Sequence, residues 1–304
     1  MSRVAAIDCG TNSIRLLIAD IDGSQFREIH RSMEIVRLGQ GVDKSKQFHP
    51  DAIERTLGAL RTFQLEIARR GVSKIRFCAT SATRDASNRQ IFIDGVKEII
   101  GIEPEVISGE EEARLSFLGA TRELHISDSP FLVIDIGGGS TEFVFGNQSV
   151  EAARSVNIGC VRMSERHFTQ APASHDEIES ATADIDAAIR EAATVVPLTS
   201  AKTIIAVAGT ATTVAAAALE LETYDRYAIH ISRISANKTH VVSKKFLAMT
   251  REEIAALGYM HPGRVDVISA GSLILDRAMI YTGAEEFVAS ESDILDGMAW
   301  SLAN

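Results

Sequence analysis

The stretch Phe131-Leu132-Val133-Ile134-Asp135-Ile136-Gly137-Gly138-Gly139-Ser140-Thr141-Glu142 sets the reading of this chain. Four apolar residues, an Asp and one further Ile, then three consecutive glycines and two hydroxyl residues read as a buried strand that ends in a tight loop. An earlier segment, Val4-Ala5-Ala6-Ile7-Asp8-Cys9-Gly10-Thr11-Asn12-Ser13, has the same form. Both are an apolar strand ending in Asp-x-Gly-x-x-Ser, and the two aspartates stand 127 residues apart. A single such turn is common. Two of them, each at a strand end and followed by similar elements, predict a duplicated α/β unit and two related domains facing a common cleft.

The elements outward from each loop support the duplication. In the first half, Val4–Ile7, Ile14–Ala19 and Glu28–Arg37 read as strands, broken by Cys9-Gly10-Thr11-Asn12 and Asp22-Gly23. A helix follows, with Ile53, Leu57, Leu60 and Ile67 near one face, Pro50 suited to its first turn and Gly71 to its end. Lys74–Ala79 reads as a strand, Ser87–Ile100 as a helix closed by Gly101, and Glu103–Ile107 as a strand. In the second half, Phe131–Asp135, Thr141–Phe145 and Val150–Val156 read as strands and Asp176–Ala193 as a helix. Thr203–Val207 reads as a short buried strand and Thr210–Leu221 as an Ala-rich helix. The order βββαβα thus occurs twice.

Composition bounds the function. With 304 residues, 45% of them apolar, the chain can fill two cores. A formal net charge of −10, from 31 basic and 41 acidic residues, argues against sequence-blind binding to nucleic acid. Cys9, Cys78 and Cys160 are far apart, which fits a reducing cytoplasm better than a disulfide framework. The run Val4–Ile7 is too short for a secretion signal, and no stretch approaches the ~20 apolar residues of a membrane span.

Several segments carry chemistry. Successive amides in a glycine turn form a nest for anionic oxygens, with Ser13, Ser140 and Thr141 as further donors; a plain hairpin uses the same residues. Asp135 and Glu142 stand seven residues apart across the second turn, and two such carboxylates suit Mg²⁺ beside phosphate oxygens. Ser108-Gly109-Glu110-Glu111-Glu112-Ala113-Arg114 opens a helix. Ser108 and Glu111 have capping-box spacing and Glu110 can pair with Arg114, while one glutamate pointing into the cleft would serve as general base. Thr80-Ser81-Ala82-Thr83-Arg84 suits an anion pocket or a solvated loop. Gly209 and Thr210 start a helix that can present N–H groups to a phosphate, or simply pack tightly. Arg264, in Pro262-Gly263-Arg264-Val265-Asp266, can reach the cleft, with Asp266 as an N-cap. The eight histidines show no metal-ligand spacing, and His167 and His261 read as surface or loop residues.

The ordered set of these segments, from Ile7-Asp8-Cys9-Gly10-Thr11-Asn12-Ser13-Ile14-Arg15 to Gly263-Arg264-Val265-Asp266, resembles the exopolyphosphatase / guanosine pentaphosphate phosphohydrolase family of the actin-like phosphotransferase superfamily. The resemblance covers essentially the whole chain. It implies two actin-like (ribonuclease H-like) domains, here residues 1–122 with about 292–304, and residues 123–291, the active site lying between them and the last helix packing back on the first domain. It places the catalytic glutamate at Glu112, metal carboxylates at Asp135 and Glu142, and the motif arginine at Arg84. Its phosphate loops match Gly10, Thr11, Asn12 and Ser13, and Gly137, Gly138, Gly139, Ser140 and Thr141; Asp8, Arg84, Gly209, Thr210 and Arg264 are the further candidate phosphate contacts. Longer members carry a further helical region, often resembling an HD domain; this chain stops at Asn304 and resembles the short form.

The expected activity is Mg²⁺-dependent (or Mn²⁺-dependent) release of orthophosphate from inorganic polyphosphate by a cytoplasmic homodimer, with no nucleic-acid or membrane partner. Guanosine pentaphosphate (or tetraphosphate) is the alternative substrate. An actin-like small-molecule kinase and a non-catalytic nucleotide or polyphosphate sensor are the remaining readings.

Overall fold

In the computed structural model, which describes residues 2–302, the chain divides into two compact units, Met1–Gly119 with Ile294–Asn304, and Ala120–Asp293. The last two residues of the expected first domain, 303 and 304, lie outside the described residues.

The first unit opens with β1 (Ser2–Cys9), β2 (Ser13–Asp22) and β3 (Gln25–Ile35) as an antiparallel meander. After α1 (Val42–Ser45) and α2 (Pro50–Arg69), β4 (Lys74–Ala79) pairs parallel to β1. Then come α3 (Ser81–Asp85), α4 (Arg89–Ile100), the two-residue β5 (Glu105–Val106), parallel to β4, and α5 (Gly109–Thr121). The sheet order is β3-β2-β1-β4-β5.

Val4–Ile7 are fully buried, because β1 is central and covered on both faces. Side-chain alternation divides the strand between two cores. Ala5 and Ile7, with Leu16 and Ile18 of β2, face Leu60 and Phe63 of α2 and Phe92 and Val96 of α4. Val4 and Ala6, with Leu17 and Ala19, face Leu295, Met298 and Ala299 of the final helix, Ile294–Ser301. That helix approaches closely at Gly297, where a Cβ would lie 2.0 Å from the carbonyl oxygen of Leu115.

The second unit repeats the order with β6 (Phe131–Ile136), β7 (Thr141–Gly146), β8 (Val150–Val156), α6 (Cys160–His167), α7 (His175–Ala193), β9 (Thr203–Val207) and α8 (Ala208–Ala218). It continues through α9 (Arg226–Ile229), β10 (Ser232–Ser235), α10 (Ala236–Ala248), α11 (Arg251–Ala255), α12 (Ile268–Thr282) and β11 (Glu286–Ala289). Its sheet reads β8-β7-β6-β9-β11-β10, so β8-β7-β6-β9-β11 matches β3-β2-β1-β4-β5 strand for strand. β9 runs parallel to β6, as β4 does to β1. The duplicated α/β architecture expected from the two Asp-x-Gly-x-x-Ser turns is therefore present in both units.

Some elements differ from expectation. Thr80–Arg84 is not a loop: it initiates α3, whose Thr83 and Arg84 amides donate to the Thr80 carbonyl. The helix expected at Thr210 begins two residues earlier, at Ala208, whose φ of 64° makes the sharp exit from β9. Asp266 is not an N-cap; α12 starts after Val267 with no side-chain cap, and Asp266 instead lies 3.7 Å from Arg251 Nε. Among the described residues no helix is long and apolar enough to cross a membrane.

Candidate active site

In the first unit the parallel pair β1 and β4 ends level, Cys9 opposite Ala79. Carboxyl ends of parallel strands are where loops from several elements converge on ligands. Thr80 N–H donates to the Cys9 carbonyl and Ile107 N–H to the Ala79 carbonyl, each at 3.1 Å, so the loops after β1, β4 and β5 leave from one edge. The turn after β1 is closed by Gly10 N–H to the Ser13 carbonyl at 2.9 Å, and its backbone is anchored by Gly39 N–H on the Thr11 carbonyl and by Val36 and Arg37 N–H on that of Asn12. Thr11 Oγ1 is buried and meets no protein partner. A buried hydroxyl without a partner is costly, and here it sits in the turn read as a phosphate loop. Asp8 is buried and is held by Arg15, its cross-strand neighbour, at 2.7 Å.

The three glutamates of α5 separate by burial. Glu110 is exposed. Glu111 receives the Ser108 capping contact on its amide at 3.2 Å, but its carboxylate is bidentate to Arg114 and also bonds Arg76 of β4 at 3.0 Å. Arg114 therefore pairs with Glu111, not with Glu110 as the i, i+4 spacing suggested. The Arg114 bonds, with Arg76, lower the Glu111 carboxyl to about 2. A depressed carboxyl stabilises the fold above its ordinary range and loses that contribution as pH falls toward about 2. Glu111→Gln is expected to lower stability at pH 7 on the order of 1 kcal/mol, Arg114 being half exposed, and in denaturant titrations the gap to wild type should narrow with falling pH and close only as pH drops through about 2. A gap that does not narrow as pH falls would contradict the assignment.

Glu112 is the buried one, 9% exposed. Arg84 Nη1 donates to Glu112 Oε2 at 2.7 Å and to the Ile107 carbonyl at 2.9 Å, which ties α3 to the start of α5. Burial raises the Glu112 carboxyl, with Asp8 adding to the rise, while Arg84 and a hydrogen bond from Thr80 oppose it. Thr80 Oγ1 also lies 4.0 Å from the Cβ position of Gly10. Asp8, Gly10, Thr80, Arg84 and Glu112 thus form one cluster. A carboxyl raised by burial, with one guanidinium bonded to it and opposing the rise, has the features of a general base.

In the second unit the turn after β6 repeats the first, Gly137 N–H donating to the Ser140 carbonyl at 3.0 Å. Among the described residues the glycines with positive φ are Gly23, Gly41, Gly71, Gly101 and Gly283, so Gly10 and Gly137 do not serve through φ > 0; at Gly137 the backbone does approach closely, a Cβ there lying 3.1 Å from the Ser140 carbonyl oxygen. Asp135 and Glu142 are direct cross-strand partners, hence on the same face of the sheet, 6% and 1% exposed. The pair occupies the positions of Asp8 and Arg15 in the first unit, a carboxylate replacing the guanidinium. Glu142 Oε1 accepts from Ser140 Oγ at 2.8 Å and from Ser155 Oγ at 2.6 Å. Thr141 Oγ1 donates to the Ile158 carbonyl. The single protons of Ser140 and Thr141 are therefore committed to protein acceptors, leaving phosphate contacts in this turn to backbone amides. Two buried carboxylates on one face are a hard-oxygen donor set, and they fit a Mg²⁺ ion that takes one or two carboxylates and fills its shell from water and phosphate.

Arg264 packs directly on Gly209 at the start of α8: a Cβ there would lie 1.6 Å from Arg264 Nη1. Thr210, next to it, and Cys160 both lie against Gly271, a Cβ on which would lie 2.7 Å from Thr210 Oγ1 and 3.1 Å from the Cys160 Cβ. The structure thus gathers Gly209, Thr210 and Arg264 in the second unit, and Asp8, Gly10, Arg84 and Glu112 in the first. Sequence reading missed Arg15, Ser155, Gly159 and Arg162. Their partners lie across a strand or in another element, and only the Gly159-Cys160 step at a helix start offered a local cue.

The model of the Ppx/GppA phosphatase family matches residues 17–303. Exopolyphosphatase 2 of Mycobacterium tuberculosis is 43% identical over 316 aligned positions, covering 100% of this chain and 99% of that protein. Among solved structures, an exopolyphosphatase-like protein superposes with a TM-score of 0.97 at 44% identity, covering 99% of this chain and 97% of its own. A PPX-GPPA enzyme of Aquifex aeolicus superposes with a TM-score of 0.83 at 29% identity, covering 99% of both chains.

Proposed function

The chain belongs to the Ppx/GppA phosphatase family, and from that premise we propose that it hydrolyses the terminal phosphoanhydride of inorganic polyphosphate and releases orthophosphate. The full-length likeness to an exopolyphosphatase supports the substrate class. The observation that carries the mechanism is Glu112, the one buried glutamate of its trio, bonded to Arg84 in a cluster with Thr80 and the Gly10 turn.

In this mechanism Glu112 orients a water and takes its proton as the water oxygen forms a bond to the terminal phosphorus. The bridging P–O bond breaks, and the shortened polyphosphate leaves with the electron pair. The Gly10–Ser13 and Gly137–Thr141 turns offer amide N–H groups to phosphoryl oxygens, and Thr11 offers its unpartnered hydroxyl. Arg264 supplies positive charge beside the start of α8. Asp135 and Glu142 would hold Mg²⁺ (or Mn²⁺), which when bound neutralises charge on the phosphate oxygens. Arg84 acts here through Glu112: its guanidinium is bonded to the base, opposing the rise of its carboxyl and holding it in place.

The role of Arg84 has a pH signature. Burial raises the Glu112 carboxyl and Arg84 opposes the rise, so removing the guanidinium leaves burial unopposed. Arg84→Ala is expected to move the acid limb of the kcat/KM profile to higher pH, since that limb follows the base in the free enzyme. A limb that stays put, or moves to lower pH, would count against Glu112 as the titrating base.

Orthophosphate release measured across polyphosphate lengths and with guanosine pentaphosphate, with and without Mg²⁺, tests the whole reading. Release from polyphosphate only when Mg²⁺ is present is expected. Preferential release from the nucleotide would make it a guanosine pentaphosphate phosphohydrolase. No release from either would exclude both.

A further inference from the structure

We infer that Arg162 and Gly159 are positioning residues that set the direction of the amides in the Gly137–Ser140 turn, an inference that rests on the phosphate-binding role proposed above for that turn. Three successive carbonyls of the turn point the same way. The Gly137 carbonyl accepts from Cys160 N–H at 2.9 Å, and that of Gly138 from Val161 N–H at 2.9 Å and Arg162 N–H at 3.1 Å. The Gly139 carbonyl accepts from Arg162 Nε at 2.6 Å. The first amides of a helix have no partner within it. In α6 they are satisfied by the glycine turn, and no side chain caps this helix.

Peptide geometry then decides the other side. In a trans peptide the N–H points opposite to the carbonyl of the preceding residue. The cis peptides among the described residues are Ser129-Pro130 and Ala171-Pro172, so the bonds of this turn are trans. With the carbonyls of Gly137, Gly138 and Gly139 turned toward α6, the amides of Gly138, Gly139 and Ser140 turn away from it together. Three amides in one direction form an anion nest. Gly159 allows the arrangement through its missing side chain: a Cβ would lie 2.4 Å from the Gly138 carbonyl carbon and oxygen and 2.5 Å from Gly139 N. Its φ of −135° is open to any residue, so close approach alone demands glycine. Arg162 is 7% exposed and adds a buried positive charge behind the nest.

The test uses the full-length chain carrying Glu112→Gln, designed to bind without turning over, titrated with tripolyphosphate and separately with Mn²⁺. Adding Arg162→Gln is expected to weaken tripolyphosphate binding about tenfold or more. Mn²⁺ binding, which belongs to Asp135 and Glu142, should stay within about twofold, whereas general loosening of this region would weaken both. Arg162→Lys should recover part of the phosphate affinity, and it decides the question by the same criterion if Arg162→Gln fails to fold. Unchanged tripolyphosphate affinity, or equal loss of both ligands, overturns the positioning role alone. No tripolyphosphate binding even with Arg162 intact overturns the phosphate reading, and this inference with it.

Discussion

Glu112→Gln is expected to lower orthophosphate release by about 10²- to 10⁴-fold, the usual worth of a positioned general base, while tripolyphosphate still binds near wild-type affinity. Glutamine keeps the shape of glutamate and an oxygen to accept the Arg84 bond. It loses the negative charge, and with it the capacity to take a proton. The buried setting that raises the Glu112 carboxyl makes its carboxylate a stronger base than a solvated glutamate, and Arg84 opposes the rise. Comparison with Glu111→Gln isolates the position. That neighbour is bidentate to Arg114 and bonded to Arg76, and its removal should cost stability at neutral pH with little change in turnover. Release by Glu112→Gln above a tenth of the wild-type rate would reject Glu112 as the base.

The second large effect concerns the acidic pair of the second unit. Asp135→Ala and Glu142→Ala should each shift the Mg²⁺ dependence of turnover to higher concentration by at least about tenfold, as expected when one of two protein ligands is lost. The physical ground is a comparison between the two units. At matched cross-strand positions the first unit pairs Asp8 with Arg15 and neutralises its carboxylate internally, whereas the second sets Asp135 beside Glu142. Two buried carboxylates side by side on one face of the sheet are a hard-oxygen pair that suits a divalent cation. Ser140 and Ser155 both donate to the same oxygen of Glu142, which orients its carboxylate. Superimposable Mg²⁺ titrations for wild type and both variants would remove the metal role.

The fold was legible where one strong pattern repeated. Lys74–Ala79, Val150–Val156 and Thr203–Val207 are strands with the bounds read from the sequence, because turn residues or changes of hydrophobic period flank each one. The repeat was legible because the duplicated turn brought its neighbours with it, down to the equivalent hydrogen bonds of Gly10 with Ser13 and Gly137 with Ser140. Short elements escaped. Ser81–Asp85 and Ser232–Ser235 are too brief for periodicity to show, and they exist because tertiary neighbours complete them. The Glu110–Arg114 pairing failed for a related reason: Arg76 arrives from β4, and it draws Glu111 and Arg114 into one cluster that spacing along α5 does not show. The supports of the glycine turn, Gly159 and Arg162, were hidden likewise, their bonds spanning about 20 residues.

The most direct test of terminal phosphoanhydride hydrolysis is to run the first turnover of a defined-length polyphosphate in H₂¹⁸O and locate the label by mass spectrometry. Attack of water on the terminal phosphorus predicts ¹⁸O in the released orthophosphate and none in the shortened chain. Label in the shortened chain, or no free orthophosphate at all, would contradict it.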